Sequence, residues 1–518
     1  MPADSSPPLL GAVPEGDGRV TFCVWAPAAE TGAVRIDGAD HPLEPAGDGF
    51  RWATVAAGAG ADYWFVVDRE AHPDPCSRWQ PFGIGGPSRV VDVAAFPWTD
   101  AGREPLVLDD LVLYELHVGT FSEPGTFDAA IPHLAGLREL GVTAVELMPI
   151  GTFPGERNWG YDGVYTFAPH PAYGGPEGFA RFVDAAHANG LGVILDVVYN
   201  HIGPGGSFRS FGPYFDETHA TFWGDAIDFR RRGVREWAIQ NAELWIRDYH
   251  VDGLRLDATH AIVDDSVPHV LAELATRVRR TDPDALVISE MSTGDLRPIA
   301  EWGHDAQWAD EFHHVLHVLL TGEQEGYYAD YRPSVADLAL QIAREPAQRL
   351  VYCSQNHDQV GNRALGDRPA PDQLRIRAAA LLLAPQVPLL FMGEEYGEQR
   401  PFRFFTDHTD PAIADATREG RRREFARFAA FTADDVPDPQ DVRTFESSKL
   451  DRTHADPELR AFYRELLALR RTLPHDVALQ ADDETRTLNL RRGETRARLR
   501  FAAPPSVDVE GRTGDGTG

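Results

Sequence analysis

Positive charge is what this chain has least of. Against 80 aspartates and glutamates stand 49 lysines and arginines, a formal net charge of −31. Such a balance argues against nucleic acid or an anionic membrane as the main partner and leaves a neutral ligand open. Lys449 is the only lysine. That scarcity fits salt adaptation or an arginine-favouring, GC-rich genome, and neither assigns a function. Cysteine is nearly absent too: Cys23, Cys76 and Cys353 make an odd count without metal-ligand spacing, so free thiols in a reducing cytoplasm are expected. Long apolar runs are missing. The most apolar stretch, "AAALLLAPQVPLLFMG", is short and broken twice by proline, so no membrane span is predicted. The start, "MPADSSPPLLGAVPEG", lacks the basic head and apolar core of a signal peptide, and no internal repeat is visible.

Composition is that of an ordinary soluble globular protein, 43% hydrophobic and 10% aromatic, and 518 residues call for more than one domain. Residues 1–100 read as short strands between turn residues, a small β-sandwich: "GRVTFCVWAP", "AVRIDG", "FRWATV", "DYWFVVD". From 101 to 475 the rhythm changes. Eight apolar strand-like runs alternate with amphipathic helical stretches: "LVLYELHVGTF", "VTAVELMPI", "GVILDVVYNHI", "VDGLRLDAT", "ALVISEM", "AQWADEF", "LVYCSQNHD" and "VPLLFMGEEYG". That alternation predicts an α/β fold, a (β/α)8 TIM barrel, although an open doubly wound sheet shares it. Residues 476–518 form a short C-terminal β segment with two strands, "TRTLNLR" and "TRARLRF", and an end, "VEGRTGDGTG", that looks frayed.

In "VDGLRLDATHAI" (251–262) Arg255 and Asp257 alternate with Leu254 and Leu256. A barrel strand is covered on both faces, so such polar residues must project into the mouth at the C-terminal strand ends, where barrel enzymes keep their chemistry. Three other runs end the same way. The third supplies Asp196, Asn200 and His201, the fifth Glu290, the seventh Asn356, His357 and Asp358. Converging, these fit glycoside hydrolysis, in which two carboxyls flank the scissile bond and the transition state is oxocarbenium-like. Arg255, two residues before Asp257, shares its face and would hold it ionised as a nucleophile. Glu290 follows the apolar "ALVIS", which would raise its pKa and suit it to proton donation. Asp358 would brace the sugar, and Asp196 would orient Arg255 through a salt bridge.

The segments "DVVYNH" (196–201), "GLRLDATH" (253–260), "ISEM" (288–291) and "NHD" (356–358) resemble the four signature segments of the α-amylase superfamily of glycoside hydrolases. The resemblance implies Asp257 as nucleophile, Glu290 as acid/base and Asp358 as transition-state stabiliser. It also implies Arg255, His201 and His357 as substrate-binding residues, and Tyr161 of "WGYDG" as the ring beneath the sugar cleaved. The mechanism would be retaining, with the Asp257 and Glu290 carboxyls about 5–5.5 Å apart. Further stretches, above all "DEFHHVLHVLLTGEQEGYY" (310–328), are most similar to the trehalose-releasing branch of that superfamily. The substrate implied is malto-oligosyltrehalose or a related α-glucan, cut next to its terminal trehalose. Glu311, His313, His314, Tyr327 and Tyr328 are candidate walls for that disaccharide, unless they belong to an amphipathic helix packing Phe312, Leu316 and Leu320. Many superfamily members bind calcium where Asn200 stands, but no dedicated acidic loop is visible, and neither metal nor cofactor is expected. A branching or debranching enzyme and a non-catalytic glycan-binding barrel remain the alternatives. Oligomeric state is not legible.

Overall fold

In a computed structural model that describes residues 8–291, 294–425 and 436–510, eight parallel strands close into one barrel. They are β1 (Leu113–Leu116), β2 (Ala144–Leu147), β3 (Gly192–Val197), β4 (Gly253–Leu256), β5 (Leu286–Glu290), β6 (Ala306–Trp308), β7 (Leu350–Cys353) and β8 (Val387–Phe391). Each pairs with the next in chain order, and β8 pairs back to β1. Each strand falls within one of the eight predicted runs, so the closed barrel, not the open sheet, is the fold.

Side-chain parity explains how this barrel is both filled and reactive. Residues two apart share a face of a strand. Low in the lumen, Leu113, Ala144, Ile194, Ile288, Ala306 and Leu389 pack into one apolar cluster, and Leu106 packs against it. On β1, β2, β3, β5 and β6 the next residue on that face, two positions on, is Glu115, Glu146, Asp196, Glu290 or Trp308. Apolar layers thus give way to a polar one at the C-terminal rim.

The barrel helices lie outside. They are α1 (Leu134–Leu140), α2 (Gly175–Ala188), α3 (Arg232–Asp248), α4 (Val270–Thr281), α5 (Glu311–Thr321), α6 (Val335–Ile342), α7 (Leu374–Leu383) and α8 (Pro457–Arg470). Between β5 and β6 only a one-turn helix, Arg297–Ala300, intervenes. A hairpin of Phe215–Thr221 and Gly224–Ile227 precedes α3. The end of α7 is closed by two buried guanidiniums: Arg470 donates to the carbonyls of Leu382 and Ala384, Arg492 to those of Leu383 and Ala384. These satisfy acceptors that a helix terminus otherwise leaves open.

At the N-terminus two antiparallel sheets face each other, one built on Arg19–Trp25 and Phe50–Ala56, the other on Gly32–Ile36 and Asp62–Val67. At the C-terminus the sheet has four strands, Ala478–Asp482, Thr487–Arg492, Thr495–Arg500 and Ser506–Glu510, not the predicted two. The added outer strands are largely exposed; Ala478–Asp482 carries little of the alternation that marks the inner pair, whereas Ser506–Glu510 alternates, with Val507 and Val509 packed against the core. Of the end expected to fray, Val509 and Glu510 finish this last strand and residues 511–518 lie outside the described residues.

Trp25 joins the N-terminal sheets to the barrel. Its ring packs edge-on against Tyr214 at 5.3 Å and covers Gly233 at the start of α3, where a methyl group would sit 2.0 Å from the indole. Gly233→Ala should therefore destabilise the protein. Helix propensity favours alanine by up to about 1 kcal/mol, but overpacking a filled site costs about 1–3 kcal/mol. Calorimetry should show a lower Tm; an unchanged or higher one would mean that Trp25 moves aside freely.

Candidate active site

Arg255 organises the barrel mouth. Fully buried on β4, it donates from Nη1 to both oxygens of Asp196, at 2.9 and 2.8 Å, and to Asp257 Oδ1 at 2.8 Å. From Nη2 it donates to Glu290 Oε2 at 2.8 Å. The Trp308 ring covers its guanidinium face, 4.2 Å from Cζ. Burial alone would lower its pKa, but Asp196 and Glu290 hold it far above the ordinary value. Burial lifts the Asp196 carboxyl to about 7 against the pull of Arg255. With its terminal nitrogens engaged by carboxylates and no open surface, Arg255 sets the carboxylates in place.

Asp257 is fixed at both oxygens, since Asn200 Nδ2 donates to Oδ2 at 3.0 Å. Just beyond it, Ala258 adopts a left-handed conformation, φ 39°, which a residue with a Cβ rarely takes. The strained turn aims the Ala258 N–H at Glu290 Oε2, 2.8 Å away, and Thr259 Oγ1 donates to the Glu290 carbonyl. Glu290 thus has a cation and an amide at one oxygen, not the purely apolar setting its sequence neighbours suggest.

Asp358 lies at the start of a short helix after β7. Asn362 Nδ2 donates to its Oδ1 at 2.9 Å, and His357 Nε2 stands 3.4 Å from its Oδ2. The other face of His357 meets Glu115 on β1: Nδ1 lies 2.5 Å from Oε1 and the His357 N–H donates to Oε2 at 2.9 Å. Burial would lower the His357 pKa, yet Asp358 and Glu115 raise it from 6.5 to about 10, so the imidazole is a cation at neutrality.

The remaining candidates divide. Tyr161 donates to Asp196 Oδ2 at 2.6 Å and stacks on His357 with centroids 4.9 Å apart, inside the cluster. His201 is nearby but both ring nitrogens are occupied, Nδ1 by Asn200 Oδ1 at 2.6 Å and Nε2 by the Tyr161 carbonyl at 2.9 Å. Both neighbours are oxygen acceptors, so a neutral ring donates to one of them at a time. Tyr327 is exposed, and it lines one groove with Asp358 and Asn362. Tyr328 borders that groove from a buried position. His313 is not a wall. It is buried on the inner side of α5, facing the Ser354 carbonyl at 2.8 Å and Tyr328 Oη at 3.2 Å. His314 faces Tyr331 Oη at 3.0 Å, and Glu311 pairs with Arg344 at 3.1 Å. Phe312 and Leu316 are fully buried, so packing claims most of this helix.

Residues 115–211 match the alpha-amylase catalytic-domain family. A malto-oligosyltrehalose trehalohydrolase of Deinococcus radiodurans is 43% identical over 90% of this chain and 83% of its own. The chain belongs to the malto-oligosyltrehalose trehalohydrolase family. A second member, from Rhizobium sp. strain M-11, is 40% identical over 99% of this chain and 95% of its own. A crystal structure of a Salmonella typhimurium protein described as an alpha amylase superposes with a TM-score of 0.87 at 38% identity, covering 95% of this chain and 92% of that one. The chain is thus a glycosidase of the α-amylase type.

Four residues of the site went unread in the sequence. Glu115 stands inside a quoted strand run, and strand parity alone would have turned it inward with Leu113. Trp308 likewise ends β6 facing Arg255. Asp310, just past β6, is raised to about 7 by burial, Glu290 and Asp358. Trp223 left no motif: it sits at the tip of the hairpin before α3, half exposed beside the fully exposed Phe222, and lies flat on His201 with centroids 5.0 Å apart. Among the described residues no group of three or more His, Cys, Asp or Glu could hold a metal ion, and both ends of the Asn200 amide are taken by Asp257 and His201.

A pKa raised on folding stabilises the fold below the group's unfolded value, and that contribution is lost as pH climbs through the folded value. For His357 the window runs from about 6.5 to about 10. Glu115→Gln should lower the His357 midpoint. The Tm deficit of the variant should be largest below pH 6.5 and narrow towards pH 10. Imidazole titration by NMR checks this, and an unchanged His357 midpoint would remove Glu115 from the account.

Proposed function

We propose that this chain hydrolyses the α-1,4 bond next to the terminal trehalose of malto-oligosyltrehalose, with retention of configuration. Glu290 protonates the departing glycosidic oxygen while a carboxylate oxygen of Asp257 attacks the anomeric carbon, forming a glycosyl ester. Water then displaces Asp257, giving its proton to Glu290. The observation that carries this reaction is the single guanidinium of Arg255 bridging Asp257 and Glu290, since one planar group cannot span two widely separated carboxyls. Asp358, backed by cationic His357, faces the sugar hydroxyls, and Tyr161 lies beside the same ring.

The substrate choice rests on the relatives, which carry the trehalohydrolase name over nearly the whole chain. Trp223 on the His201 side and Tyr327 on the Asp358 side flank the gap between the carboxylates, and aromatic faces of this kind stack on glucosyl rings. A cytoplasmic location fits the three free, buried cysteines, and among the described residues no helix is long and apolar enough to cross a membrane.

Maltotriosyltrehalose, maltopentaose and amylopectin supplied in parallel should give rapid trehalose release from the first and little from the others. Fast attack on amylopectin would instead favour a branching or debranching enzyme. Glu290→Gln should lower kcat by about 10²–10⁴-fold, and Asp257→Asn at least as much, with sugar binding retained. Wild-type turnover in either variant would refute the assigned roles.

A further inference from the structure

Behind the segment that carries Asp358 lies a second, partly open cavity of about 240 Å³, lined by α5, the start of α7 and the chain between them. Three arginines line it, Arg363, Arg368 and Arg377, in a protein short of cations everywhere else. Arg363 is matched by Glu323 at 3.0 Å and Asp367 at 2.9 Å. Arg377 is not matched. It is 1% exposed, its Nη2 is 3.2 Å from Gln373 Oε1 and 3.4 Å from His317 Nδ1, and its Nε and Nη1 have no hydrogen-bond partner among the described residues. His317 gives its other nitrogen to Glu323 Oε2 at 2.9 Å, so Nδ1 is free to accept from Arg377. The buried acid that acts on Arg377 from further off, Glu394, is held by the Phe391 N–H, the Ser354 hydroxyl and the Tyr463 hydroxyl.

A buried guanidinium with open donors and no paired carboxylate is costly. Burial lowers the Arg377 pKa only to about 10, so the group does not shed its charge at neutral pH. The cavity is large enough for several waters at about 30 Å³ each, or for an ion with part of its hydration. Arg368 adds to the positive field: its Nη1 and Nη2 are also unpartnered, while Nε donates to the Arg400 carbonyl at 3.0 Å.

We propose that this cavity binds a small inorganic anion, held chiefly by the Arg377 guanidinium. The proposal does not rest on the reaction assigned above, and its test does not read turnover. Crystals of the unaltered protein would be prepared with sodium bromide or with sodium selenate and examined by anomalous diffraction. A bromide peak beside Arg377 supports the proposal and points to a halide; a selenate peak supports it and points to an oxyanion. Density for water alone in both overturns it. In solution at constant ionic strength, phosphate or chloride should raise the Tm saturably for the wild type and not for Arg377→Met. An equal rise in both proteins would reflect general salt exclusion and count against the site. Should Arg377→Met fail to fold, the diffraction result on the unaltered protein decides.

Discussion

The active site depends on one buried cation. Arg255 is covered by Trp308 on one face and meets Asp196, Asp257 and Glu290 at its edge. A guanidinium is planar and fixed in shape, so three carboxylates bound to it are fixed relative to one another. Replacing it with lysine would keep a charge but lose that geometry. The cost of burying the ion is several kcal/mol before its partners are counted, and here three charged contacts offset it.

Around this centre the barrel supplies support from different strands at each point. Asp196 comes from β3, Arg255 from β4, Glu290 from β5, Trp308 from β6 and Glu115 from β1. Glu115, Asp196, Glu290 and Trp308 each stand two positions above a residue of the apolar layer, so the packing below fixes their heights. The His357–Glu115 contact ties the post-β7 segment to β1 across the mouth. The left-handed turn at Ala258 delivers an N–H to Glu290. Catalytic sites commonly hold such residues because the surrounding structure over-determines them.

Much of this was legible in the linear chain, for a physical reason. Buried parallel strands need unbroken runs of Val, Ile and Leu, and Asp, Arg or Glu at the end of such a run has few places to go but the rim. The eight runs therefore marked the barrel, and their polar ends marked the residues that the fold gathers. Partner choice was not legible. Whether a histidine faces substrate or a carbonyl depends on contacts between distant segments, which is how His201 and His313 came to look available when both are engaged within the protein. Trp223 went unnoticed because a hairpin tip has neither apolar period nor motif, and the Ala478–Asp482 strand because an exposed edge needs no alternation; the alternation of Ser506–Glu510 was there to be read.

A final constraint is electrostatic. The mouth gathers the carboxyls of Glu115, Glu146, Asp196, Asp257, Glu290, Asp310 and Asp358 around two cations, Arg255 and His357. Seven full negative charges would face two positive ones there. The imbalance is relieved where burial is deepest: Glu146, with no hydrogen-bond partner for either oxygen among the described residues, is driven far above the ordinary carboxyl range by burial and by Glu115, and Asp196 and Asp310 are lifted to about 7. Glu146, Asp196 and Asp310 therefore carry protons most readily, in a mouth that holds more carboxyls than cations. Such a surface repays nothing to a neutral sugar in its ground state. It favours a ring carbon that becomes positive as the bond to the leaving oxygen stretches, and that difference between ground and transition state is what lowers a barrier.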